Sequence, residues 1–178
     1  AADGLIKLYA TNDTSRNLEM ISSALTYVNA LYVLALSDAA RLATALGDHP
    51  DANDWAQTAT AVKGAINREL WNPRTHVYDA STTLRDNYIQ DANVTAILAG
   101  IPSLQRSRQI LATLDHKLHT RFGPVVAGAP APKAYKLDIS PYMGSFQVLA
   151  DFATGRDTAA LALIRQEWGY MVNRHPGG

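Results

Sequence analysis

The apolar positions of this chain fall into helical periods, and the periods come in two kinds. From Asp157 onward, Leu161, Ile164, Trp168 and Met171 recur every three or four residues, with Arg165, Gln166 and Glu167 on the other faces. That is the single stripe of a helix buried on one side. Asp157 reads as its N-cap. Ser103 to His119 repeats the pattern through Leu104, Leu111, Leu114 and Leu118, and Asn53 to Leu70 through Trp55, Ala59, Val62 and Ile66. Three other segments are apolar almost all round: Ile21–Leu46, Tyr88–Ala99 and Tyr142–Ala153. A helix that is apolar on every side predicts burial on every side.

The two kinds alternate: buried, half-buried, three times over. Each all-apolar segment ends at a glycine, Gly47, Gly100 and Gly155, at nearly equal spacing. Glycine there suits a left-handed C-cap. The pattern is an internal repeat of helical hairpins. It predicts an all-α fold of three α/α hairpins, half of an (α/α)6 toroid, forming one unit over residues 1–178. Inner helices are backed by outer ones, and strand signals are almost absent.

The connections are unequal. Turns from inner to outer helices are short ("GDHPDAN", "GIPS", "GRD"). Those from outer to inner are long: "NPRTHVYDASTTLRD" and "TRFGPVVAGAPAPKAYKLDIS". All long loops therefore fall at the end where inner helices begin, a usual place for a polar-ligand site. The polar residues there are His76, Tyr78, Asp79, Asp86, Asn87, Gln90, Asp91, Tyr135, Asp138, Ser140 and Tyr142. Carboxylates, amides and aromatics together suit a carbohydrate cleft. Aromatic faces stack on sugar rings and carboxylates accept from hydroxyls. Asp79 or Asp91 with Asp138 would make a two-carboxylate pair. Asp86 and Ser140 read equally as N-caps, and Tyr78 and Tyr142 as core residues with bonded hydroxyls.

Composition narrows the classes. Hydrophobic residues make up 47% and charged residues 18%, with sixteen basic and sixteen acidic side chains. That is a folded globular domain with no electrostatic pull toward nucleic acid or an anionic membrane. No apolar run is long enough to span a bilayer. There is no cysteine, and no P-loop, GxGxxG or GxSxG motif. His116 and His119 share a helical face beside Lys117, without an obvious third ligand, and read as a solvated face; no metal or cofactor is expected. Two sequons, at Asn12 and Asn93, allow a secreted origin, although the second lies inside a helical pattern.

Three stretches carry a resemblance: "NYIQDANVTAILAGI", "DISPYMGSFQVLADFATGRDTAALALIRQEWGYM" and "ARLATALGDHPDANDWAQTATAVKGAINRELWNPRTHVYD". Together they resemble the later part of the (α/α)6 catalytic barrel of the α-L-rhamnosidase glycoside hydrolases. Gln90-Asp91-Ala92-Asn93 and Ser140-Pro141-Tyr142 stand where that family starts inner helices. Gly155-Arg156-Asp157 and Trp168-Gly169 match its closing hairpin. The resemblance implies an inverting glycosidase releasing terminal L-rhamnose; Gln90, Asp91, Asp138 and Tyr142, by their shared place at inner-helix starts, are the expected substrate-binding residues. It places the catalytic acid, a Glu, upstream of this chain, and the base, another Glu, just past its end. No catalytic residue is therefore expected within it. Gly4 stands where the family often has a cleft-lining Trp. Two rival readings are a non-catalytic relative that binds glycans or proteins, and another (α/α)6 carbohydrate-active enzyme. The last helical stripe runs into Pro176-Gly177-Gly178, a turn rather than an end, so the parent protein is expected to continue. The expected partners are a carbohydrate substrate and either the rest of the parent chain or a second copy.

Overall fold

The computed structural model describes residues 3–7, 23–129 and 138–174. Six helices are present among them: α1 (Thr26–Leu46), α2 (His49–Glu69), α3 (Gln90–Leu98), α4 (Leu104–Lys117), α5 (Pro141–Ala153) and α6 (Asp157–Arg174). Four two-residue strands decorate the connections: β1 (Trp71–Asn72), β2 (Val77–Tyr78), β3 (Tyr88–Ile89) and β4 (Ala127–Gly128). The Asn12 sequon, Tyr135 and the turn at 175–178 lie outside the described residues.

Helices α1, α3 and α5 stand side by side, α1 against α3 and α3 against α5, while α2 backs α1, α4 backs α3 and α6 backs α5. The predicted alternation is therefore real. In α3 every residue from Gln90 to Ile97 is buried, whereas α4 buries only Ser107, Ile110, Leu111 and Leu114. Helix α5 buries six positions along its length, and the longer α6 buries only Ala160, Leu163 and Glu167. One main core joins Val33 of α1, Val62 and Ile66 of α2, Val94 and Ile97 of α3, Ile110, Leu111 and Leu114 of α4, and Met143 and Ala150 of α5.

All three short turns close with the same device. Beyond α1, Asp48 N donates to the Ala43 carbonyl; beyond α3, Ile101 N to Ala96; beyond α5, Arg156 N to Asp151. The glycine between is left-handed each time, at φ 80°, 61° and 71°. This is the Schellman closure, which satisfies carbonyls that the helix end leaves orphaned.

Some boundaries move. α2 begins at His49 rather than Asn53, because Asp48 accepts from Asp51 N and Pro50 suits the first turn. The Tyr88 segment starts as strand, and its helix begins at Gln90. α1 begins at Thr26, with Leu25 bridging to Ser81. Asp157 is the first residue of α6 rather than its cap, and the carbonyl of Arg156 accepts from Ala159 N. Burial all round holds for α3 but not for the other two inner helices: Leu42 and Leu46 of α1 and Tyr142, Leu149 and Phe152 of α5 are exposed. Among the described residues, only α3 has an inner helix on both flanks.

Candidate functional site

The long connections fold back over the starts of the inner helices as extended segments. After α2, β1 and β2 form a small hairpin, and the chain then pairs with the approach to α1: Thr26 N donates to Ala80 and Thr82 N to Ala24. After α4, β4 pairs with β3 at the approach to α3, with Tyr88 opposite Gly128 and Ile89 opposite Ala127. Gln90 N then donates to the Val126 carbonyl, and Val126 N to that of Asp138. Three strips, ending in Gln90, centred on Val126 and starting at Asp138, thus lie side by side. The same end of the helical layer carries the starts of α3 and α5.

The four residues chosen from the sequence share that end but differ in exposure. Gln90 is fully buried, and its Nε2 donates to Gln147 Oε1 at 2.8 Å. Asp91 is buried in the first turn of α3, where its Oδ1 accepts from Ala92 N and its carboxylate complements the helix N-terminus. Asp138 is exposed. Tyr142 is 64% exposed, and its ring meets Phe146 edge-on at 5.1 Å. Asp138 and Tyr142 are therefore the exposed members of the set. Gln90 and Asp91 are buried in the first turn of α3.

Several neighbours take structural posts instead. Asp79 is completely buried. It accepts from Asn72 Nδ2 at 3.0 Å and from Asp86 N at 2.7 Å, and Arg85 stands 3.6 Å away. Burial pushes its pKa up and these donors pull it down, with burial the larger effect. It clamps the loop between α2 and α3. Asp86 is not an N-cap: it sits at φ 61° and pairs with Arg74, which holds its carboxyl below the usual range. Tyr78 is a core residue whose hydroxyl donates to Asn67 at 2.7 Å, and burial pushes it up to about 12. Asn87 and Asn93 are buried and spend their amides on backbone: Asn93 accepts from Tyr78 N and donates to Tyr78 and Ile89 carbonyls. The Asn93 sequon is thus closed to a glycan. Ser140 is the cap of α5, accepting from Met143 N. His76 is exposed at the hairpin turn with φ 58°. Gly4 lies against Ala65 of α2, at φ 77°.

A second group of polar residues, outside the set expected from the sequence, lies between inner and outer helices. Gln147 links Gln90 to Asp115 of α4, and Arg156 pairs with Asp115 and approaches Asp151 at 3.4 Å. Burial lifts the Asp151 carboxyl to about 6 and that of Glu167 to about 7. Their signal was present: Gln147 and Asp151 are the large polar residues of an otherwise apolar α5.

No curated protein matches the chain significantly. Solved structures do. A rhamnosidase from Klebsiella oxytoca, solved with rhamnose bound, matches 83% of this chain at 20% identity with a TM-score of 0.66, and the chain spans 25% of it. A family 78 glycoside hydrolase, the rhamnosidase of Bacillus sp. GL1, matches 97% of the chain at 26% identity with a TM-score of 0.70; the chain spans 17% of it. The neutral trehalase of Saccharomyces cerevisiae shares the fold, with a TM-score of 0.73 over 88% of the chain at 12% identity, and the chain spans 34% of that protein. The three hairpins are thus part of an (α/α)6 toroid like those of these much longer enzymes. Since the family model for the mannosylglycerate hydrolase MGH1-like glycoside hydrolase domain matches residues 10–133, most of the length, the chain belongs to that glycoside hydrolase family.

Proposed function

We propose that this chain is the later part of the catalytic barrel of a glycosidase that releases terminal α-L-rhamnose with inversion. The observation that carries the reading is the likeness to the Bacillus rhamnosidase over 97% of the chain. Inversion needs a general acid to protonate the leaving oxygen and a general base to take a proton from the attacking water, with the two carboxyls roughly 6.5–9.5 Å apart. In this reading both glutamates come from the parent protein outside residues 1–178, and this segment supplies scaffold and cleft wall. Asp138 accepts from sugar hydroxyls, Tyr142 and Phe146 offer ring faces and edges, and buried Gln90 and Asp91 hold the strips that present them.

The family match favours a second reading, in which the sugar is mannose joined to glycerate. Turnover by the full parent protein separates the two. An aryl α-L-rhamnoside is expected to be hydrolysed with the higher kcat/KM, and mannosylglycerate with the lower. The reverse order would transfer the assignment to the second reading. The segment alone is expected to hydrolyse neither, since losing general acid and base removes about two to four orders of magnitude each. Robust turnover by residues 1–178, abolished by changing a single Asp among them, would overturn both readings.

A further inference from the structure

The carboxyl of Glu167 sits in a seam where three parts of the chain meet. Its own helix is α6. A side-chain carbon added at Gly144, in the first turn of α5, would stand 3.1 Å from Oε1 and closer still to Oε2. One added at Gly123, in the turn after α4, would stand 3.4 Å from Oε2. Two glycines from two separate elements thus make the slot that admits this group. Glu167 is 2% exposed, and both of its oxygens are buried without a hydrogen-bond partner.

On the two facing elements the titratable and charged groups are Tyr142 and Asp151 of α5 and His119 and Arg121 of the turn; on α6 itself the nearest in sequence are Arg165 and Tyr170. No hydrogen bond or ion pair joins any of them to this carboxyl. The amides of Met143 and Gly144 are spent on Ser140. Burial is the sole force on the Glu167 pKa, and it lifts it from 4.5 to about 7. The closed seam therefore relies on the proton, because a neutral carboxyl costs far less to bury unbonded than a charged one. Above about pH 7 the closed form has to hold an unpaired charge, whereas a solvated carboxyl ionises freely from 4.5 upward.

Both facing elements lead to the candidate site. Gly144 is two residues from Tyr142. Gly123 is followed by Pro124 and then by Val125, which bridges to Ile139, and Val126, which bonds Asp138 and Gln90. Helix α6 is fastened to the same turn by Gln166 Nε2, which donates to the Thr120 carbonyl at 2.6 Å, and by Tyr170, whose ring meets Phe122 edge-on at 4.8 Å. We propose that Glu167 is a protonation latch: its neutral carboxyl closes α6 onto the first turn of α5 and the turn after α4, and loss of the proton to solvent frees both, loosening the strip around Val126 and the start of α5. The latch goes beyond the proposed hydrolysis and does not depend on it.

The test uses the full-length protein. Backbone hydrogen exchange is read by mass spectrometry at pH 5.5 and pH 8.5, corrected for the intrinsic rate of each amide. Peptides covering 120–126 and 141–147 are expected to lose protection by about tenfold or more at the higher pH, while those from the α1–α2 hairpin keep theirs. Glu167→Gln removes the charge and keeps the shape, and is expected to hold its protection at both pH values. Where that variant does not fold, Glu167→Met gives the same reading with no polar group to orphan. Equal wild-type protection at both pH values, a loss spread equally over α1 and α2, or a neutral variant that loosens as the wild type does would overturn the proposal.

Discussion

Glu167 shows how a single residue can be placed by packing at the cost of its own solvation. It lies on α6 at 2% exposure, with both carboxyl oxygens buried and unpartnered. Burial alone lifts it from 4.5 to about 7. The native state therefore holds a proton that the unfolded chain releases between those values. Rising pH across that window favours unfolding; the contribution is fully present below pH 4.5 and gone above about 7. Replacing the carboxyl with an apolar chain of similar length should remove the penalty. Glu167→Met is expected to raise stability at pH 8 by about 1–2 kcal/mol and to flatten the wild-type decline between pH 4.5 and 7. Denaturant melts of both proteins across that range check this. A variant that melts like wild type at every pH would mean the carboxyl has a partner in solution.

At the scale of elements, α5 and α6 meet closely because Gly144 has no side chain. A methyl group on Gly144 would collide with Glu167 Oε2 and stand 2.9 Å from its Cδ. Gly144→Ala is expected to cost about 1–3 kcal/mol by overpacking, and most of that cost should vanish in a Glu167→Ala background. A double-mutant cycle followed by chemical denaturation measures the coupling, and strict additivity would show that the helices do not meet at this pair. None of this contact could be read from sequence, because periodicity places Gly144 and Glu167 on helices without saying which residues touch. What periodicity did carry was the order of hairpins, the inner and outer roles and the glycine closures, since each depends on residues close together in the chain. The short strands were missed for the opposite reason: Tyr88–Ile89 is a strand only because Ala127–Gly128 comes to lie beside it. In the candidate site, the shared end of Gln90, Asp91, Asp138 and Tyr142 followed from helix starts. Their division into buried and exposed did not, because it depends on how segments distant in the chain pack over those helix starts.

The whole molecule has a third level of order, in the faces that no described residue covers. Among the described residues, α3 has an inner helix on each flank and α5 has one only toward α3. On its remaining surface Tyr142, Leu149 and Phe152 are exposed, and on the adjoining α6 Leu161, Ile164, Met171 and Val172 are exposed as well. These spacings are helical stripes, the same device that buries the other faces. Scattered apolar residues on a surface need no explanation, but aligned stripes on two packed helices mark a docking face. In the full protein, we expect further hairpins to cover this face, and the much greater length of the rhamnosidases and trehalase leaves room for them. Isolated from that protein, residues 1–178 should bury the stripes against another copy. Light scattering is expected to show a mass that rises with concentration, and Leu149→Lys with Ile164→Lys should return it to that of one chain. Those lysines lie outside the core, so secondary structure should survive them. A wild-type segment that stays monomeric across the whole concentration range would mean that this face is stable in water without a partner.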